Sequence, residues 1–236
     1  MMINGRPAVP SELGVRPSAR LSAGFLSQAF LWMFAGLLVT ATVAWLVGTN
    51  ESLMQGAAGL FLPVMLVQFG LVMGISAGIR RMSATLALLL FFVYSATMGV
   101  TISLILTAYD LGTAFGAFAA AAVMFGGAAA YGAITRRSLA SIGGYLFMAL
   151  IGIVAASLLN VFLLKSSGLD FAISIVGVLV FVGLTAWNVQ KTTRGDYAAM
   201  TGSMEKGAVI AALALYLDFI NLFFLMLRIL GGSRRS

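Results

Sequence analysis

Of 236 residues, 61% are apolar and only 9% charged, and the mean hydropathy is +1.05, a composition that cannot clothe a soluble domain of this size with polar surface. The net charge of +7 lies mostly between apolar runs, so it reads as a topological signal facing anionic lipid and argues against nucleic acid as a partner. With no cysteine and no histidine, the chain excludes a disulfide framework, a thiol nucleophile, a Ser-His-Asp triad and the usual zinc and haem ligand sets.

Residues 1–24, with Arg6, Arg16, Arg20 and Pro7, Pro10, Pro17, form a polar cytoplasmic extension. The apolar segment after them is too long, and lacks a clear small-residue cleavage site, for a secretory signal. Seven apolar runs follow: 25–47, 57–79, 85–109, 113–134, 143–164, 171–190 and 207–230. Each spans about 30 Å of hydrocarbon at about 1.5 Å per residue. Barrel strands would be about 10 residues long and would alternate, so helices are predicted. The joining segments are short, which makes consecutive helices antiparallel neighbours. The expected fold is an all-α integral membrane protein of seven transmembrane helices over 25–230, with 231–236 as a short C-terminal tail.

Basic residues fix an orientation. The extension carries Arg6, Arg16 and Arg20, the second connection Arg80 and Arg81, the fourth Arg136 and Arg137, and the sixth Lys191, Arg194 and Lys206, against Lys165 alone on the other side. The amino terminus is therefore expected in the cytoplasm. Arg228, Arg234 and Arg235 stand against this scheme, because seven spans place the carboxyl terminus outside. Small residues at 117–122 and 126–130, and Gly152 with Ala155 and Ala156, are expected to let helices approach closely.

Polar residues inside the runs carry the functional information. Asp218 is the one acidic residue deep inside any run, and a charge there costs a few kcal/mol or more. It is either a protonated or arginine-paired carboxyl that holds helices together, or a proton-sensitive gate and cation ligand on a polar path. Intramembrane carboxylates default to the second use. Asn221 lies one turn further on the same face. Gln68, Asn160 and Gln190 are expected to make interhelical hydrogen bonds. Arg80 and Arg81 either serve topology alone or reach inward to a buried carboxylate.

The segment Ala214-Leu215-Tyr216-Leu217-Asp218-Phe219-Ile220-Asn221-Leu222-Phe223, on through Leu227-Arg228, resembles the C-terminal signature of the Bax-inhibitor (TMBIM) family. Leu184-Thr185-Ala186-Trp187-Asn188-Val189-Gln190-Lys191 resembles its sixth-helix motif, and Gln68-Phe69-Gly70-Leu71-Val72-Met73 its second helix. The resemblance implies a central seventh helix wrapped by six others. It also implies a pH-sensitive calcium leak, carried by paired aspartates on helices six and seven and an arginine latch from the second. Bacterial relatives are further linked to a membrane-bound ATP-dependent protease, as substrates or modulators.

Asp218 matches the seventh-helix aspartate. Asn188 stands where the family usually has the sixth-helix aspartate, and Gln68 where an acidic residue is common. The latch is Arg80 or Arg81; spacing does not decide. An amide cannot ionise but can donate to Asp218, so a paired switch becomes one with a single titrating group. Asp218 then offers calcium at most one negative charge, a weak site for a transient Ca2+, and no resident cofactor is expected. Asn188 lies near the end of its run and Asp218 near the middle of its own, so contact requires offset helices or a later start for the seventh.

The expected function is a multi-pass protein of the bacterial inner membrane that resembles pH-sensitive calcium-leak channels, without enzymatic chemistry. The alternative is a non-transporting interaction protein, a modulator of a membrane-bound protease or an accessory subunit of a membrane complex. A rhodopsin-like reading fails because the last run lacks a Schiff-base lysine.

Overall fold

The computed structural model describes residues 2–3, 6–7 and 19–232. The other residues of the N-terminal extension, Arg16 among them, lie outside the described residues, as do 233–236 with Arg234 and Arg235. Met2–Ile3 pairs antiparallel with Arg6–Pro7, and helix α1, Ala19–Gly48, begins ahead of the expected start at 25.

The second run, expected at 57–79, is crossed by one helix that starts later than expected, and its first residues belong to a separate short helix ahead of it. α2 covers Glu51–Gly59 and α3 covers Phe61–Gly78, with Leu60 at the junction. Pro63 explains the break: in a continuous helix its missing N–H would serve the Gly59 carbonyl, and its ring would clash there. In the first turn of α3 that N–H has no helical partner in any case. Asn50 caps α2 by accepting from the Leu53 amide.

α4, Ala84–Leu106, starts at Ser83, whose hydroxyl accepts from the Leu86 amide at 3.1 Å. α5, Leu111–Ile134, starts at Asp110, which accepts from the backbone of Thr113 at 2.8 Å and from its hydroxyl at 2.6 Å. α6, Ala140–Leu159, widens into a π turn over Asn160–Leu164 that ends at Lys165 in the left-handed region, φ 47°. α7 runs Ser167–Arg194, past both ends of the 171–190 run. A short helix not expected from the sequence, α8 over Asp196–Thr201, precedes α9 over Met204–Gly232. Gly195 and Gly202, at φ 76° and 74°, bracket α8 in a conformation that favours glycine. The seven long apolar helices establish an all-α, multi-pass membrane fold. α9 is its core helix: 72% of its most apolar window is buried, against 6–44% for the others.

The described residues form two compact units, those up to 108 with 191–216, and 109–190 with 217–232. In the first, α1 and α4 cross at glycines. A Cβ on Gly36 would sit 2.6 Å from the Phe91 ring, and one on Gly99 would sit 2.6 Å from the Thr40 carbonyl. The Thr40 hydroxyl donates to the Ser95 carbonyl at 2.8 Å and meets the Tyr216 hydroxyl at 2.6 Å. Phe91 and Tyr94 pack edge-on against Tyr216, with centroids 5.5 and 5.8 Å away.

In the second unit, Gly132 lies against the Ala186 backbone and Gly143 against the Trp187 indole, each too close for a Cβ. Phe219 packs edge-on between Phe118 and Phe125, at 5.5 and 5.6 Å. The expected small-residue contacts are met only in part. Ala117, Ala121, Ala128 and Ala129 are buried, whereas Gly126, Gly127 and Gly152 face open space.

Candidate functional site

Asp218 lies about four turns into α9, and Asn188 less than about two turns from the end of α7. Of the two routes to contact, the helices take the offset: α9 starts earlier than its apolar run, at Met204, not later. Both side chains are buried, at 4% and 7% exposure, and the Asn188 amide donates to the Asp218 carboxyl oxygen at 2.7 Å.

The energetics of this pair are finely balanced. A central ionised carboxylate costs about 2.5–3.5 kcal/mol on insertion scales. One hydrogen bond to a charged group offsets about 1.5–3 kcal/mol. A single amide therefore governs how costly the Asp218 charge is. An aspartate in its place would add a second acid instead of a permanent donor.

The remaining polar residues are spent elsewhere. Gln68 donates to the Thr101 hydroxyl at 2.8 Å, joining α3 to α4 as interhelical bonding predicts. Gln190 uses both ends of its amide: the oxygen accepts from the Leu139 N–H and the nitrogen donates to the Arg137 carbonyl, each at 2.8 Å, closing the α5–α6 connection onto α7. Asn221 turns back on its own helix and donates to the Leu217 carbonyl at 2.7 Å. Asn160 differs from expectation: its bonds are local, to the Ser166 carbonyl at 3.0 Å and from the Ser166 amide at 2.9 Å, where they stitch the π turn shut.

Arg80 and Arg81 are both exposed. The Arg80 Nε donates to the Met200 carbonyl at the end of α8 at 2.9 Å, and the Lys206 ammonium donates to the Arg80 carbonyl at 3.3 Å. The arginine that could reach inward thus closes the C-terminal turn of a short helix, where carbonyls lack helical donors.

Two arrangements were not anticipated. Arg228, counted only as a topological conflict, forms a partly exposed ion pair with Asp170 of α7 at 3.2 Å. The signal was present: a lone acid at the head of one run and a lone base at the tail of the next. The second is a polar group around α8. Lys191 sits 4.3 Å over the Tyr197 ring. Burial raises the Asp196 carboxyl above its ordinary value of 3.8, while Arg194 and Lys191 pull it back.

Comparison with known proteins agrees with this architecture. Residues 22–235 match the family described as inhibitor of apoptosis-promoting Bax1. The inner membrane protein YbhL of Escherichia coli K12 is 42% identical over 230 residues, covering 95% of this chain and 97% of that protein. An uncharacterized protein of Borreliella burgdorferi is 42% identical over 217 residues, 90% of this chain and 93% of its own. Another, from Deinococcus radiodurans, is 40% identical over 211 residues, 89% and 90% of the two chains. With the match running from the first span to the last, and with Asp218 and Asn188 joined in the core of the bundle, the chain belongs to the bacterial branch of the Bax-inhibitor family.

Proposed function

We propose that this protein is a passive cation leak of the bacterial inner membrane, without catalytic chemistry, whose conductance follows the protonation of one carboxylate, Asp218. The inner-membrane location is supported by its likeness to YbhL, and a cytoplasmic amino terminus by the bias of bases toward one set of connections. The observation that carries the reading is the buried bond from Asn188 to Asp218 at 2.7 Å. With Asp218 ionised, that bond is charge-assisted, about twice as strong as a neutral one, and clamps α7 to α9 at this level. Proton uptake removes the assistance and loosens the clamp. A single negative charge would bind calcium weakly and transiently, which suits passage rather than storage.

Flux of calcium from proteoliposomes, followed from about pH 5 to 8 where a perturbed carboxyl titrates, tests this. The native protein should show a shallow, one-proton dependence. Asp218→Asn should abolish it and Asn188→Asp should steepen it. Flat, identical traces for all three proteins would end the proposal.

A second reading, a non-transporting partner such as a modulator of a membrane-bound ATP-dependent protease, draws on Gln68, Gln190 and Asn221. Each of these closes on neighbouring helix groups as packing requires. Stoichiometric co-purification from native membranes, together with absent flux, would favour it.

A further inference from the structure

We propose that Arg80, Arg81 and Lys206 form a binding site for the phosphate of an anionic membrane lipid. The three belong to one compact unit, at the end of α3 and the start of α9, both of them membrane-crossing helices. Two of the cations are anchored by backbone carbonyls and not by acids. Arg80 spends its Nε on the Met200 carbonyl at 2.9 Å, and Lys206 spends one N–H on the Arg80 carbonyl at 3.3 Å.

A carbonyl orients a cation without neutralising it. The Arg80 fork therefore keeps its two terminal nitrogens, Lys206 keeps two of its three N–H groups, and among the described residues none of the three cations pairs with a carboxylate. The nearest acids in sequence do not alter this. Asp196 sits at the far end of α8 with Arg194 and Lys191 as its countercharges, and Glu205 is exposed. Lys206, bonded to the Arg80 carbonyl, is held near a second cation with no acid between them among the described residues, an arrangement that a bridging anion relieves. A phosphodiester supplies that bridge, because its two free oxygens match the planar guanidinium fork and a neighbouring ammonium. Met200 and Met204, both exposed beside the cations, offer apolar surface for the first part of an acyl chain. Charge and greasiness side by side at a span end favour a lipid over free phosphate.

The test uses full-length protein in detergent micelles, with retained lipid measured by native mass spectrometry and thermal stability measured in parallel. Phosphatidylglycerol should be retained and should raise the melting temperature; phosphatidylcholine and inorganic phosphate should do neither. The Arg81 amide donates to the Gly78 carbonyl at 2.8 Å, a bond glutamine keeps, and among the described residues its side chain makes none, so Arg81→Gln leaves a folded protein and should weaken retention about fivefold, with a similar further loss in Arg81→Gln/Lys206→Gln. The control pair Arg136→Gln/Arg137→Gln should retain the lipid. The site is overturned if the Arg81→Gln/Lys206→Gln protein keeps phosphatidylglycerol as the native one does, if the control pair loses as much, or if inorganic phosphate stabilises equally.

Discussion

Asp170 and Arg228 join the first turn of α7 to the last turns of α9 through an ion pair 3.2 Å long, with each side chain a little under two-fifths exposed. A contact this wet is weak. A double-mutant cycle of Asp170→Asn and Arg228→Gln should return a coupling of about 0.2–1 kcal/mol that shrinks in high salt. A coupling of several kcal/mol, or one indifferent to salt, would show the pair to be shielded.

Gln190 should matter far more. Replacement by leucine strands the buried Leu139 N–H and takes a donor from the part-buried Arg137 carbonyl, each bonded to this amide at 2.8 Å. About 1–3 kcal/mol is expected for the buried Leu139 N–H and less for the Arg137 carbonyl, which water can reach, read as an earlier unfolding midpoint in mixed micelles. Gln190→Glu keeps the acceptor and loses the donor, so it should fall between the native and leucine proteins.

The glycines divide into two classes that alanine substitution separates. Gly99→Ala places a methyl against the Thr40 carbonyl, and Gly143→Ala one against the Trp187 ring. Each should cost about 1–3 kcal/mol by overpacking. Gly126→Ala meets nothing within 4 Å and should be neutral or slightly stabilising through helix propensity. Equal losses at all three positions would refute the assigned packing.

Stability should also depend on pH through Asp196. Its folded value lies above the ordinary 3.8, chiefly by burial, so the folded protein holds that proton more tightly than the unfolded chain. The contribution is complete below the unfolded value and lost as pH rises through the folded one. Asp196→Asn should therefore leave the melting temperature at low pH unchanged and raise it at neutral pH. A uniform shift at every pH would assign the effect to packing.

Much of this architecture is legible in the chain because lipid imposes a simple rule: about 20 apolar residues make a span. The same simplicity hides the break at Leu60, since Ala57 onward reads as one apolar run across it and Pro63 marks the interruption. α8 is hidden for the opposite reason. It is only six residues long, too short for a hydropathy signal, and the glycines on either side are its signature. The meeting of Asn188 and Asp218 follows from the family resemblance, not from hydropathy, because nothing local reports an offset between two helices. The placement of Arg80 is illegible in principle: its partner is a backbone carbonyl, which every residue possesses.

The π turn at Asn160–Leu164 has a consequence for how this helix tolerates change in length. Its signature bond, from the Lys165 amide to the Asn160 carbonyl at 2.6 Å, encloses one residue more than an α-helical ring does. Deleting one residue between 161 and 164 would restore ordinary winding without shifting any turn that precedes Asn160. The strain would then fall on the ring between Asn160 and Ser166 and on the left-handed Lys165, so a shortened chain should keep its membrane crossing while re-forming the link into α7.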